Sequence, residues 1–334
     1  MLRGWLDATV TSRVSARRGG QGTRDNDHMQ KALVAVTDRD WFTFLRARRP
    51  DEVNFWQPRG GTAFRALERG QPLLFKLHAP ENVIVGGGFF THFSIIPVSL
   101  AWKAFGEANG AASFAEMTAH IERLRRNRVE SEVDYQIGCI ILSDPFFLDE
   151  RYWIEPPRDF SQNIVRYKRY DLQEEPGASL WARVIEARAL SGHAVSDVSE
   201  STIYGEPALY RPRLGQGSFR VVVTDEFERH CAVSGEKTLP VLEAAHIRPV
   251  ASGGTHQAGN GLLLRSDIHT LFDRGYVTVT PDYRFLVSRR LRDDWENGRV
   301  YYELAGGEIF VPRDPRWRPD KDFLTWHSDT RYLG

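Results

Sequence analysis

The 334-residue sequence contains only two cysteines, Cys139 and Cys231, which lie far apart in separate apolar segments. Isolated thiols of this kind are typical of buried side chains in a reducing compartment and do not indicate a disulfide framework, so we expect a cytoplasmic location. No apolar run approaches the roughly 20 residues that span a membrane. Residues 1–28, rich in Arg, Ser, Thr and Gly, lack the apolar core of a signal peptide, and we interpret them as a disordered extension.

The sequence also lacks an excess of charge of either sign, with 44 Lys and Arg against 44 Asp and Glu. A surface that binds nucleic acid must therefore be local. No G-x-x-x-x-G-K-[ST] segment is present, so we do not expect an ATP-driven activity. The length is sufficient for two domains, each with its own core.

The most informative stretch runs from residue 231 to 274. His246 ends the apolar run VLEAAHI, Asn260 precedes a glycine, and His269 lies in SDIHTLFD with helical spacing. The pattern predicts two short strands, a Gly-rich loop and a helix that begins near Leu264. Because an Asn side chain hydrogen-bonds to nearby backbone, Asn260 is expected to hold the loop and keep His246 in register.

This order, a strand, a loop with Asn and a helix with His, resembles the HNH endonuclease signature. The flanking segments are similar to the predicted-restriction-endonuclease branch of that family; they are LEAAHIRP, NGLLL and HTLFDRG. The resemblance covers about residues 210–330. It implies a ββα-metal nuclease acting on double-stranded DNA with Mg²⁺ or Mn²⁺. His246 would then be the general base, Asn260 the loop anchor in the catalytic motif, and His269 a metal ligand.

This chain departs from many HNH nucleases immediately before the expected base. Where they carry an Asp or His ligand, Ala245 stands here. Glu243, on the same strand face by the two-residue period, is one replacement, and Asp273 is another. The missing ligand also favours an alternative: a nucleic-acid-binding protein that uses an inactive HNH scaffold.

Residues 31–172 alternate short strands with two helices and carry Gly86, Gly87 and Gly88 inside a strand, which predicts a small, curved α+β barrel. FWQP, RGQPLLFKL and IVGGGFF resemble the PUA-like superfamily, which includes EVE, ASCH and SRA domains. That resemblance implies a pocket for a modified base flipped out of the duplex. The expected pocket residues are Asn54, Trp56, Phe89 and Trp102.

The expected architecture is therefore α+β throughout, in four parts: the extension 1–28, a PUA-like domain at 29–172, a linker with a helix at 173–210, and an HNH domain at 211–334. Arginines expected to contact DNA phosphate are Arg211, Arg213, Arg220 and Arg248. The resemblances imply a restriction enzyme that cleaves modified DNA. A sequence-reading nickase or nuclease is the alternative. A double-strand break would need a homodimer or two sequential nicks.

Overall fold

The computed structural model describes residues 31–60, 63–125, 134–161, 163–192 and 214–334. The expected extension at 1–28 and the expected phosphate contacts Arg211 and Arg213 lie outside these ranges. The fold is α+β, as predicted.

The N-terminal part is built on one six-stranded sheet. Its elements are β1 (Lys31–Thr37), α1 (Arg39–Arg48), β2 (Glu52–Gln57), β3 (Pro72–Leu77), β4 (Ile84–Pro97), α2 (Val98–Phe105), α3 (Phe114–Leu124), β5 (Gln136–Phe147), β6 (Tyr167–Asp171) and α4 (Gly177–Leu190). The strand order is β2-β5-β4-β3-β1-β6. The β1–β3 pair is parallel and the other pairs are antiparallel. Among the described residues no pairing joins β2 to β6, so the expected barrel is an open sheet.

Apolar side chains on both faces explain why this sheet is buried. Successive residues of a strand point to opposite faces, so Leu33 and Leu73 pack with α1 on one side. Val34 and Leu74 pack with α4 on the other. Helix α4, expected in a linker, therefore forms part of this core.

The triple glycine allows close contact between neighbouring strands. A Cβ on Gly86 would collide with the Phe146 carbonyl, and one on Gly87 would lie 2.7 Å from the Leu73 carbonyl oxygen. The β4–β5 register shifts here, as expected of a bulge. The three glycines therefore mark a β-bulge and allow neighbouring strands to approach closely.

The C-terminal part contains the predicted ββα unit. Its elements are α5 (Gln216–Glu226), β7 (Leu242–His246), β8 (Gly261–Arg265), α6 (Ser266–Asp273), β9 (Val277–Val279), β10 (Phe285–Val287), α7 (Arg290–Trp295), α8 (Arg299–Tyr302) and α9 (Lys321–Thr330). Strands β7 and β8 pair antiparallel, and α6 follows directly. The helix begins at Ser266 rather than near Leu264, because Leu262, Leu263 and Leu264 continue the strand pairing.

Helix α5 connects the two parts through buried contacts. Phe219, Val222 and Val223 belong to the core around the ββα unit. Val221 belongs instead to the core formed by α2, α3 and β5. Most of the surface of α5 is therefore buried, and it is covered by both parts of the chain.

Both cysteines are buried free thiols, as the sequence predicts. Burial, the largest effect, raises the pKa of Cys139 to about 12, so this thiol is inert at neutral pH. No helix among the described residues is long and apolar enough to cross a membrane.

His327 on α9 is a structural histidine. Its ring stacks on Phe272 with ring centroids 3.7 Å apart. Its Nδ1 lies 2.9 Å from the Thr278 hydroxyl and its Nε2 lies 3.1 Å from the Phe272 carbonyl. Burial lowers its pKa to about 4, so the ring is neutral in the folded protein at pH 7.

We expect acid to destabilise the protein through His327. Between its folded pKa of about 4 and the ordinary value of 6.5 the unfolded chain binds more protons, so stability rises with pH in this window and is lost as pH falls. The full effect of this one group is roughly 3 kcal/mol. His327→Gln should therefore reduce the dependence of the free energy of unfolding on pH, measured by urea titration at pH 7.5, 6 and 5. An unchanged slope would contradict this assignment.

Candidate active site

Asn260 holds the loop between β7 and β8, as the sequence predicts. It is fully buried. Its Oδ1 accepts from the backbone N–H of Arg248 at 2.8 Å, and its Nδ2 donates to the carbonyls of Arg248 and Thr255 at 2.8 Å each. Gly254 is required beneath it, because a Cβ there would collide with the Arg248 carbonyl. These three hydrogen bonds, called the Asn260 clasp below, fix the backbone that follows His246.

His246 lies at the end of β7 with its ring stacked on Phe219, at 3.9 Å between ring centroids and 10° between planes. Its Nε2 lies 3.0 Å from Nδ1 of His256. Within the described part of the chain, its Nδ1 has no hydrogen-bond partner. Burial first, and then the neighbouring His256 and His269, lower the pKa of His246 to about 4. The imidazole is therefore neutral at pH 7, with one nitrogen free to accept a proton.

His269 on α6 lies between the two carboxylates proposed as ligands. Its Nδ1 is 2.7 Å from Oε2 of Glu243, which is a direct hydrogen bond. Its Nε2 is 3.4 Å from Oδ2 of Asp273, one helical turn later. Adjacent ligands of one octahedral Mg²⁺ ion are separated by about 3 Å. The second pair is within a few tenths of an ångström of that spacing. In the first pair the hydrogen bond requires a proton on Nδ1, so that nitrogen has no lone pair for an ion.

These donors fit a hard divalent cation. Among the described residues no group of three His, Cys, Asp or Glu side chains is arranged to hold a metal. Two protein donors are nevertheless enough for Mg²⁺, which keeps several waters and takes substrate phosphate oxygens. A carboxylate on the other nitrogen of a metal-binding His is a common orienting arrangement, and Glu243 has that position toward His269.

The histidines and Asp273 open into one cleft of about 720 Å³. Its ionisable lining residues are Arg220, His246, His256, His269, Asp273 and Arg331. Carboxylate and imidazole groups thus face two arginines across a space large enough for a phosphodiester. Such a set can deprotonate water, bind a cation and hold phosphate oxygens.

Among the cleft residues that were not identified from the sequence are His256, Phe219 and Arg331. His256 lies in the Gly-rich loop four residues before Asn260, and its position in that loop was the available signal. Phe219 and Arg331 come from α5 and from the residue after α9, and no local pattern connects them with the motif.

Of the two predicted phosphate contacts that the structure describes, Arg220 lines the cleft and Arg248 does not. Nη1 of Arg220 also donates to the Lys103 carbonyl at 3.1 Å. Arg248 instead donates from Nε to the Ser252 carbonyl at 2.7 Å, and its guanidinium lies over the Trp326 ring. Gly217, near Arg220, allows close approach of another protein group, because a Cβ there would lie 2.6 Å from the Ala104 carbonyl oxygen.

The four predicted pocket residues contact other groups of the N-terminal part. Asn54 and Trp56 lie on strand β2. Asn54 is fully buried, and its Nδ2 donates to Oδ1 of Asn109 at 2.9 Å. Trp56 donates from Nε1 to the Asn109 carbonyl at 2.9 Å.

The other two predicted pocket residues lie on β4 and α2, and Trp102 packs against the same core cluster as Trp56. Phe89 is 2% exposed and lies under the guanidinium of Arg188. Trp102 packs on α2 beside Phe114. Long-range packing, absent from the local sequence, thus places the expected pocket residues in structural roles.

Comparisons with known proteins agree with the C-terminal geometry. Residues 231–280 match a family model described as HNH endonuclease, and they include His246, Asn260 and His269. The C-terminal part therefore contains an HNH endonuclease domain. No curated protein matches the chain.

Solved structures that resemble the chain include an ASCH protein from Zymomonas mobilis, with 9% identity and a TM-score of 0.31, covering 46% of this chain and 94% of that one. A single-substitution mutant of the same protein has 11% identity and a TM-score of 0.29, over 45% of this chain and 96% of that one. A structure described as a modification-dependent TagI restriction endonuclease has 13% identity and a TM-score of 0.26, over 85% of this chain and 76% of that one.

Replacing Asn260 tests the clasp. Asn260→Ala should lower the free energy of unfolding by roughly 2–4 kcal/mol, because its buried hydrogen bonds are lost and their backbone partners stay buried. Amide hydrogen exchange at Arg248 should accelerate at the same time. Asn297→Ala is the matched control, because that exposed side chain bonds only to the next backbone amide. Equal losses in the two variants would contradict the clasp.

Proposed function

We propose that this protein is a metal-dependent DNA endonuclease of the restriction type, directed to DNA carrying a modified base by its N-terminal part. One observation carries the nuclease proposal. The free Nδ1 of His246 belongs to a ring that lines the same cleft as His269 and Asp273, within a matched HNH endonuclease segment. In this proposal His246 would be the base, and His269 and Asp273 would bind the cation beside one phosphodiester-sized space.

His246 has the properties of a general base. In the tautomer with Nδ1 free, Nε2–H donates to Nδ1 of His256, so His256 orients the ring as the third group of a triad does. The lowered pKa of His246 keeps the ring unprotonated at neutral pH. A phosphate entering the cleft would raise that pKa again, because a nearby negative charge favours the imidazolium formed when water loses its proton.

His269 and Asp273 would hold Mg²⁺ or Mn²⁺ on the other side of the cleft. When bound, the cation would stabilise negative charge on the phosphate and on the leaving oxygen. Glu243 then acts on His269 by accepting its Nδ1–H, which fixes the ring so that Nε2 faces Asp273. Arg220 and Arg331 would contact neighbouring phosphates.

Recognition of a modified base would come from the N-terminal part, because phosphate contacts carry no sequence information. Besides the predicted pocket residues, a second aromatic group has an accessible member. Phe64 lies against Phe90, Phe93 and Tyr167, with ring centroids 5.4, 5.8 and 6.3 Å away. Tyr167 is 42% exposed on the edge strand β6, where a flipped base could stack.

A binding protein with an inactive nuclease scaffold is the alternative that one observation favours. Ala245 is fully buried and offers no ligand beside His246. Plasmid DNA incubated with the protein and Mg²⁺ or Mn²⁺ separates the two functions, since only the endonuclease produces nicked or linear product. Substrates of one sequence, unmodified or carrying methylated, hydroxymethylated or glucosylated cytosine, separate a modification reader from a sequence reader.

Variants of the cleft should divide the catalytic roles. His246→Ala should reduce kcat by about 100-fold or more at every metal concentration, because loss of a general base removes that much. Asp273→Asn should chiefly raise the Mn²⁺ concentration needed for half-maximal cleavage and should regain activity when Mn²⁺ is added. Glu243→Gln should have a smaller effect, since it orients His269 without contacting the ion. A larger metal requirement for Glu243→Gln than for Asp273→Asn would assign the ligand to Glu243.

Base reading can be tested with two aromatic variants. Tyr167→Ala should reduce the affinity ratio between modified and unmodified DNA by roughly tenfold, the usual value of one base–aromatic stack. Trp56→Phe is the control: it should cost about 1 kcal/mol of stability through its lost hydrogen bond and leave the ratio unchanged. Fluorescence anisotropy at several salt concentrations measures both. If Tyr167→Ala keeps the wild-type ratio, the stacking surface lies elsewhere.

A further inference from the structure

A carboxylate from the N-terminal sheet caps the helix that supports His246. Glu52, on β2, is 9% exposed. It accepts the backbone N–H of Gly217 at 2.7 Å and that of Ser218 at 2.8 Å, and it also accepts the Ser218 hydroxyl. These groups lie in the first turn of α5, where free N–H groups and the helix dipole favour a negative charge.

The beginning of α5 is shaped for this contact. A Cβ on Gly215 would collide with the Glu52 carboxylate, and one on Gly217 would lie 2.7 Å from the Phe105 ring. Glycine at both positions therefore lets α5 approach β2 and α2 more closely than any other residue would allow. Because the cap reaches across 165 residues of sequence, it is a tertiary feature.

The next residue transmits this position to the active site. Phe219 follows Ser218 directly and stacks on the His246 ring. Phe219 also limits the space beside Asn260, since a Cβ on Gly261 would lie 3.0 Å from its ring. A shift in the first turn of α5 would therefore move the surface against which His246 is held.

The other end of α5 is attached to the same sheet. Oδ2 of Asp225 lies 2.9 Å from Nε2 of His92 on β4, which is hydrogen-bond distance. Arg229, just after the helix, donates to the Ile95 carbonyl at 2.6 Å. With both ends attached to the N-terminal sheet, a change at β2 shifts or tilts α5 and does not simply detach it.

We propose that Glu52 is a positioning residue for His246, acting through the first turn of α5 and the Phe219 ring, so that the N-terminal sheet sets the geometry of the nuclease base. This proposal rests on the proposed function for its kinetic consequence. Its structural consequence, the placement of Phe219 against His246, is measurable without catalysis.

The experiment uses the full chain with Glu52→Ala, Glu52→Gln and Ser218→Ala. Cleavage kinetics should show kcat reduced about 100-fold in Glu52→Ala, the effect of a misplacement of about 1 Å, with KM for DNA within about twofold. Glu52→Gln, which keeps one acceptor oxygen, should recover part of kcat. Ser218→Ala keeps both backbone N–H donors and should show a smaller loss of kcat. This variant replaces Glu52→Ala in the test if Glu52→Ala does not fold.

Two further measurements distinguish positioning from a general loss of stability. Val34→Ala removes methyl groups from the core under α4, far from α5, and it should leave kcat unchanged at a temperature where both variants are folded. The ring protons of His246, observed by NMR with histidine-selective labelling and assigned with His246→Gln, should be shifted upfield by the stacked Phe219. Glu52→Ala should move these resonances toward ordinary values.

The outcomes are distinct. An unchanged kcat and unchanged His246 resonances in Glu52→Ala would overturn the proposal, as would an equal loss of kcat in Val34→Ala. If the wild-type protein cleaves no DNA, the nuclease proposal fails, and the His246 resonances alone then decide whether Glu52 positions that ring.

Discussion

The burial of α5 between two hydrophobic cores is the constraint on which the rest of the structure depends. Residues 217–219 and 221–224 of this helix are all buried. Phe219, Val222 and Val223 face one core and Val221 faces the other, so the buried surface of α5 is covered only when both parts of the chain enclose it. The two parts are consequently joined through a shared core, which is a stiffer connection than a linker between independent domains would give.

A small ββα unit requires this kind of support. Strands β7 and β8 have five residues each and α6 has eight, which is too little apolar surface for an independent core. The remaining burial comes from α5, from the β9–β10 hairpin and from α9, whose His327 stacks on Phe272 of α6. The precision of the cleft, including the His246–Phe219 stack, thus depends on elements outside the family signature.

This dependence separates what the sequence could predict from what it could not. His246, Asn260 and His269 lie within 24 residues, and strand, turn and helix periodicities are sufficient to place them around one loop. The resemblance to the PUA-like superfamily suggested Asn54 and Trp56 as pocket residues. Their actual positions follow from pairing with β5 and from hydrogen bonds to Asn109, more than 50 residues away. Local patterns contain no record of such partners.

The choice between Glu243 and Asp273 shows the same limit within the motif itself. The two-residue period of a strand suggested Glu243 as a substitute for the ligand missing at Ala245. The structure adds the helical period, which places Asp273 one turn after His269 on α6, with 3.4 Å between Nε2 and Oδ2. Glu243 already occupies the opposite ring nitrogen through a 2.7 Å hydrogen bond. A strand carboxylate that orients the histidine and a helix carboxylate that shares the cation would together compensate for Ala245, because the lost ligand is replaced from α6 and the remaining one is held more firmly.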